Sequence, residues 1–245
     1  MYRFFVEPSQ ITEHSIRIVG TDVNHIKNVL RMKEKEEILI SSGDNTEYSC
    51  YIETLGEEEI LAHIMYKQEA GYELSSKIYL FQGLPKGDKM ELVIQKSVEL
   101  GVHEIIPVAT KRAVVRLEGK KEENKNRRWQ AISESAAKQS KRMYVPEVRH
   151  VMSLKEAVQY AKNLDVILLP YELADGMQKT KQIINNLKPG GSIGIFIGPE
   201  GGFDEKEVTL AMEAGAEAIT LGKRILRTET AGLTVLSILM FALEE

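Results

Sequence analysis

Cysteine is almost absent: Cys50 is the single one among 245 residues. It has no second thiol to pair with, which excludes an intrachain disulfide and any multi-cysteine zinc site. The five histidines, at 14, 25, 63, 103 and 150, are scattered without the paired spacing of metal ligands, so no metal is expected. Long apolar runs are missing too. None approaches the roughly 20 residues that cross a bilayer, and the N-terminal Met1-Tyr2-Arg3-Phe4-Phe5-Val6-Glu7-Pro8 is too short and too charged for a secretory signal. The expectation is a cytoplasmic protein with no membrane partner. Neither G-x-G-x-x-G nor G-x-x-x-x-G-K-[ST] occurs, so a dinucleotide or nucleoside triphosphate cradle is not indicated. Internal repeats, low-complexity tracts and coiled-coil seams are lacking as well.

With 43% apolar residues the chain can bury a sizeable core, as one large domain or as two unequal ones. Its formal charge of −4 is unevenly spread. Residues 1–72 carry 7 Lys/Arg against 13 Asp/Glu, whereas residues 111–149 carry 12 against 5. This basic stretch runs from Lys111, Arg112 and Arg116 through Lys120, Lys121, Lys125, Arg127 and Arg128, and ends at Lys138, Lys141, Arg142 and Arg149. Clustered cations neutralise phosphates and release counterions, which makes the stretch a candidate nucleic-acid face. A solvated helix face would carry the same charges. Trp129, at helical spacing from Ile132 and Ala136, reads as core more readily than as a base-stacking platform.

Organisation along the chain is bipartite. Residues 1–70 alternate apolar and polar positions in short runs such as Glu37-Ile38-Leu39-Ile40-Ser41 and Tyr48-Ser49-Cys50-Tyr51-Ile52, with turn signals at Gly43-Asp44-Asn45 and Gly56. A short helix is expected over 22–30, and the whole reads as a small β-barrel-like domain. Composition changes at Gln68-Glu69-Ala70-Gly71, so a second domain is expected over 71–245. There, strands near 77–82, 104–109, 165–169, 192–197 and 216–220 alternate with helices near 86–100, 125–142, 153–162, 177–187, 204–214 and 228–243. Such alternation predicts an α/β fold with a parallel sheet flanked by helices.

Two glycine-rich turns follow apolar runs near the C-terminus. One is Gly198-Pro199-Glu200-Gly201-Gly202 after Ile193-Gly194-Ile195-Phe196-Ile197, and the other is Leu221-Gly222 leading into Ile225-Leu226-Arg227. Glycine lets the main chain turn tightly and approach a ligand, and open α/β sheets bind ligands beyond the carboxyl ends of their strands. An ordinary strand-to-helix loop is the competing reading, since Asp204 can cap a helix beginning at Glu205 without any ligand. If the first turn does meet a ligand, Gly201→Val is expected to abolish binding, by filling space and by resisting a positive φ there.

The strings Gln82-Gly83-Leu84-Pro85-Lys86-Gly87-Asp88-Lys89-Met90-Glu91, Gln95-Lys96-Ser97-Val98-Glu99-Leu100-Gly101-Val102, Gly198-Pro199-Glu200-Gly201-Gly202 and Leu226-Arg227-Thr228-Glu229-Thr230-Ala231 resemble the bacterial ribosomal RNA small subunit methyltransferase E family. The likeness spans nearly the whole chain, because Met1 to Val6 and His25-Ile26-Lys27-Asn28-Val29-Leu30-Arg31 are similar to that family's PUA-like RNA-binding domain. It implies a PUA-like β-barrel domain over 1–70 and, over 71–245, an α/β domain of the SPOUT superfamily with a deep trefoil knot, a rare exception to unknotted chain topology. It also implies S-adenosylmethionine as methyl donor, N3 of a uridine in 16S ribosomal RNA of the small ribosomal subunit as acceptor, and a homodimer as the active unit. Carried over residue by residue, the donor pocket would comprise Leu169, Pro170, Tyr171, Gly198, Pro199, Glu200, Gly201, Gly202, Leu221, Gly222, Ile225 and Leu226.

Uracil N3 holds a proton at neutral pH. The reaction therefore needs a base to take it or a cation to stabilise the charge left on the ring. Arg227 is the expected cation, and Glu172, Glu200 or Glu229 the expected base, although Glu229 would also suit the first turn of a helix without catalysis. Arg3, Arg31, Arg112, Arg116, Lys138 and Arg142 are the expected RNA contacts. Two other readings stay open on these residues: a ribose 2′-O-methyltransferase of the same superfamily, and a non-catalytic RNA-binding ribosome-assembly protein.

Overall fold

The structure, a computed structural model, describes residues 1–43, 45–69, 71–172 and 176–244. They divide into two compact units, residues 1–73 with 137–145, and residues 74–136 with 146–245. The expected turn at Gly43-Asp44-Asn45 and the composition change through Ala70 include Asp44 and Ala70, which lie outside the described residues.

In the first unit, β1 (Tyr2–Phe5), β2 (Ser15–Val19), β3 (Glu37–Ser41), β4 (Thr46–Leu55) and β5 (Glu59–Glu69) form one sheet in the order β1-β3-β4-β5-β2. Only the β1–β3 pair is parallel. Side chains alternate across a strand, so one face of this sheet collects Phe4, Ile16, Ile18, Ile38, Ile40, Cys50, Ile52 and Ile60 into one curled core. Cys50 belongs to that core, and burial pushes its thiol up to about 12. The helix expected over 22–30 is short and changes character: α1 (Thr21–Asn24) widens into a π-helical turn over His25–Val29, closed by Leu30 N–H donating to His25 O at 2.9 Å.

In the second unit, β6 (Lys77–Gly83), α2 (Lys89–Glu99), β7 (Glu104–Ala109), α3 (Lys120–Gln139), β8 (Glu147–Val148), β9 (Met152–Ser153), α4 (Leu154–Ala161), β10 (Val166–Pro170), α5 (Met177–Asn185), β11 (Ser192–Ile197), α6 (Glu205–Glu213), β12 (Glu217–Ile219) and α7 (Thr228–Leu243) follow in turn, the last residues of α3 counting with the first unit. The strands make a parallel sheet in the order β12-β10-β11-β6-β7-β8, with β9 also on β7. Both faces are covered by helices, which is why β7 and β11 read as continuous apolar runs. Phe81 and Phe196 stack between β6 and β11 with ring centroids 4.4 Å apart. Asp204 caps α6 in a reciprocal box with Glu207, as its position before Glu205 predicts. The pairs β8 and β9 went unread in the sequence, since two-residue strands carry no periodicity. Trp129 is buried in α3, as its spacing suggested.

Candidate functional site

Three strand ends meet at one edge of the second unit's sheet. β12, β10 and β11 lie side by side and run in the same direction, so the segments 220–227, 171–172 and 198–203 leave the sheet at the same end. These are the segments the two glycine turns and the stretch from Leu169 point to. Leu169 is buried at the end of β10, Pro170 ends that strand, and Tyr171 N–H donates to Ile219 O at 2.9 Å, tying β10 to β12.

The turn after β11 is closed by Gly202 N–H donating to Pro199 O at 2.9 Å. Its left-handed residue is Gly202, at φ +65, rather than Gly201. A Cβ on Gly201 would lie 3.2 Å from Arg112 Cβ, and one on Gly198 would lie 3.1 Å from Gly202 Cα, whereas one on Gly202 would meet nothing within 4 Å. The reason expected for Gly201→Val is thereby corrected: the substitution presses on Arg112, and the positive φ belongs to Gly202. In the segment after β12, Thr220 N–H donates to Thr180 Oγ1 at 2.9 Å and Gly222 takes φ +107. Leu221 and Leu226 are half-buried, while Ile225 is 88% exposed. Among the described residues, the N–H groups of 223–226 have no protein partner. Main-chain donors and the open Gly202 form a cradle in which a ligand can approach the backbone closely.

Beneath the cradle, residues that sequence reasoning left without a role join the loops. Gln82 is fully buried at the end of β6, where its Nε2 donates to Thr228 Oγ1 at 2.8 Å, and that hydroxyl donates to Gly198 O at 2.6 Å. At the start of α2, Lys89 Nζ lies 2.9 Å from Glu200 Oε1 and 3.3 Å from Glu229 Oε2, and Lys86 N–H donates to Glu200 Oε1 at 3.1 Å. Partial burial pushes the Glu200 carboxyl up, but the hydrogen bonds from Lys89 and from Lys86 N–H outweigh it and hold the carboxyl below its ordinary range. A signal for Gln82 was present: a lone amide closing the apolar run of β6 must find partners when buried.

Arg227 is exposed at the N-cap of α7 and has no ion pair among the described residues; Glu172 is exposed too. Glu229, by contrast, is taken up by Lys89 in the first turn of α7.

The cations expected on RNA separate into two groups. Arg31 is exposed, at φ +54, and Arg112 and Arg116 are exposed. Arg112 is also engaged with the turn after β11, its guanidinium donating to Gly201 O at 3.1 Å. Arg3 and Arg142 are not surface groups: Arg3 is 6% exposed on the carboxylate of Glu47, and Arg142 is 4% exposed, 2.7 Å from Glu73. A desolvated guanidinium needs a carboxylate at hand, and that pairing removes both from any phosphate-binding face. Lys138 is held 2.8 Å from Asp22. Pairing also uses Lys111 with Asp204, Arg128 with Glu91 and Arg149 with Glu104, so the basic stretch presents less free charge than its composition suggests. Arg116, Lys120, Lys121 and Arg127 are exposed and carry no ion pair among the described residues.

A family model described as an RNA methyltransferase domain matches residues 72–240, and one described as an RNA methyltransferase PUA domain matches residues 19–65. Ribosomal RNA small subunit methyltransferase E of Bacillus subtilis (strain 168) is 38% identical over 250 residues, spanning 100% of this chain and 98% of that protein. The protein of the same name from Mesomycoplasma hyopneumoniae (strain 232) is 36% identical over 237 residues, spanning 97% of this chain and 98% of its own. Among solved structures, a ribosomal RNA small subunit methyltransferase E from Neisseria gonorrhoeae bound to S-adenosyl methionine superposes with a TM-score of 0.82 at 33% identity, covering 97% of this chain and 95% of that one.

Proposed function

This chain belongs to the ribosomal RNA small subunit methyltransferase E family, and we propose from that premise that it transfers the methyl group of S-adenosylmethionine to N3 of a uridine in 16S ribosomal RNA of the small subunit. The observation that carries the reading is the convergence of 171–172, 198–203 and 220–227 at neighbouring ends of parallel strands, with Gly202 open to a ligand. Leu169, Pro170, Tyr171, the turn 198–202 and Leu221, Gly222, Ile225 and Leu226 would hold the donor, largely through main-chain groups, in the trefoil knot that the family implies. The donor supplies a methyl group on a positively charged sulfur, which leaves as a neutral thioether. Methyl transfer to N3 or to a ribose oxygen would use the same donor cradle; the N3 assignment follows the family.

The chain's own residues must then deal with the N3 proton. Glu200 and Glu229 are both engaged by Lys89, which favours Glu172 as the carboxylate that accepts it. Arg227, exposed and without an ion pair among the described residues at the start of α7, is the cation for the negative charge that develops on the uracil ring. Residues 1–70 would hold RNA as a PUA-like domain and 71–245 would carry the chemistry. Arg31 in the first, and Arg112, Arg116, Lys120, Lys121 and Arg127 in the second, are the cations available for phosphates. A homodimer working in the cytoplasm completes the proposal.

Nucleoside mass spectrometry of 16S ribosomal RNA from a strain lacking the protein, with and without add-back, tests the acceptor. Loss of N3-methyluridine restored by add-back is expected; loss of a ribose methyl group instead would move the assignment to 2′-O. For the cation, Arg227→Ala should lower methylation about 100-fold or more while donor affinity by calorimetry stays near the parent's. Equal methylation by that variant would remove Arg227 from the chemistry.

A further inference from the structure

The connection from Gln82 to Lys89 touches the donor cradle at two points. At its inner end, Gln82 bonds Thr228 Oγ1, and Thr228 bonds Gly198 O. At its outer end, Lys89 bridges Glu200 of the turn after β11 and Glu229 of the first turn of α7, with Lys86 N–H on both oxygens of Glu200 at 3.1 and 3.3 Å. Each staple joins the same two segments. The inner one is neutral and buried; the outer one is ionic and about a third exposed at Lys89.

An isolated surface ion pair contributes little, but this ammonium is shared by two carboxylates from different loops. Without it, two like charges would face each other across the gap the loops must close. We propose that Lys89 is a positioning residue of the donor pocket, holding the turn at 198–202 and the start of α7 in one register through Glu200 and Glu229, so that the donor meets both loops already assembled. The inference rests on the reading that S-adenosylmethionine binds there.

A pH signature follows. The charged groups around Glu200 are Lys89 and Glu229, with Arg112, from the segment after β7, on Gly201 O of the same turn and Asp204 at the cap of α6 that follows it. With Lys89 present the Glu200 carboxyl lies below its ordinary range, so its contribution is complete at neutral pH and is lost only as pH falls through that depressed value. Removing Lys89 lets the carboxyl rise and leaves its charge facing that of Glu229, so protonation as pH falls relieves the repulsion between the two loops. The neutral Gln82–Thr228 staple does not titrate and cannot produce this change.

Calorimetric titration of the full chain with S-adenosylmethionine, from neutral pH down to about pH 5, reads it out. Lys89→Met should bind about tenfold more weakly at neutral pH and regain part of that loss as pH falls, while the parent stays flat. Lys89→Arg, which keeps the charge, should recover most of the affinity. Equal affinity and equal pH dependence for Lys89→Met and the parent would overturn the inference. No binding by the parent itself would overturn the donor reading, and this inference with it. If Lys89→Met proves unfolded by circular dichroism, Glu200→Gln and Glu229→Gln take its place: weakened donor binding in either supports the bridge, and parent-like binding in both refutes it.

Discussion

Gly83 ends β6 so close to the neighbouring turn that a Cβ there would sit 2.7 Å from Pro199 N and Cδ and 3.0 Å from Ile197 O. Main chain cannot yield as a flexible side chain does, so Gly83→Ala should force the end of β6 away from the turn after β11. We expect a loss of about 1–3 kcal/mol in stability, seen in the denaturant midpoint, together with weaker donor binding; a parent-like midpoint would show that the strands can separate freely. Lys141 offers the opposite case. It takes φ +62 just past α3, where Arg142 N–H closes the helix on Ala137 O at 3.0 Å. Glycine is the residue that adopts this conformation without strain. Lys141→Gly should therefore raise stability by about 1 kcal/mol, measured as a higher thermal midpoint.

At the level of single elements, α7 is the one on which the site turns. At Gly232 it packs directly on the sheet, where a Cβ would lie in ordinary contact, 3.5 Å from Gln82 Oε1 and 3.6 Å from Ile197 Cγ1. Thr228 begins the helix and passes a hydrogen bond from Gln82 to Gly198 O. Thr228→Val keeps the shape and removes the hydroxyl, leaving the part-buried Gly198 carbonyl without this donor and the buried Gln82 amide without this acceptor. The expected loss is about 1–3 kcal/mol with a parallel fall in donor affinity, while Thr228→Ser should retain both. A stable Thr228→Val variant with unchanged donor affinity would mean that the inner staple does not position the loops.

For the assembled molecule, α7 shows two faces. Val235, Leu236, Leu239 and Leu243 are buried, whereas Ile238 is 38% and Phe241 86% exposed. These two border a concavity of about 640 Å³ lined by Ile184, Leu187 and Ala242 as well. Exposed aromatic and aliphatic groups around such a hollow suit the proposed second copy of the chain. Phe241→Asp should then convert a dimer to a monomer by light scattering at micromolar concentration; a parent that is already monomeric would refute the dimer. On the RNA side, charge reversal at Arg112 and Arg116 should lower the slope of log K against log[salt] by roughly one per lost phosphate contact. Because Arg112 also holds Gly201 O, its reversal should weaken donor binding as well, and that of Arg116 should not.

Periodicity and residue type alone determined much of this protein. The alternation of β-branched runs with helical stretches set the order of β6 to α7, because a parallel strand buried on both faces must be apolar throughout, as in Glu104–Ala109 and Ser192–Ile197. The glycine turns marked two of the three segments proposed to hold the donor for a similarly local reason: glycine adopts without strain the positive φ found at Gly202 and Gly222. What no local pattern holds is which charge meets which. Arg3 and Arg142 read as phosphate contacts until folding brought Glu47 and Glu73 to them across 44 and 69 residues. Lys89 was one lysine in a polar string until Glu200 and Glu229, more than a hundred residues away, closed on it. Ion pairing and burial depend on distance in space, and sheet order and loop closure, which only the tertiary structure decided, set that distance.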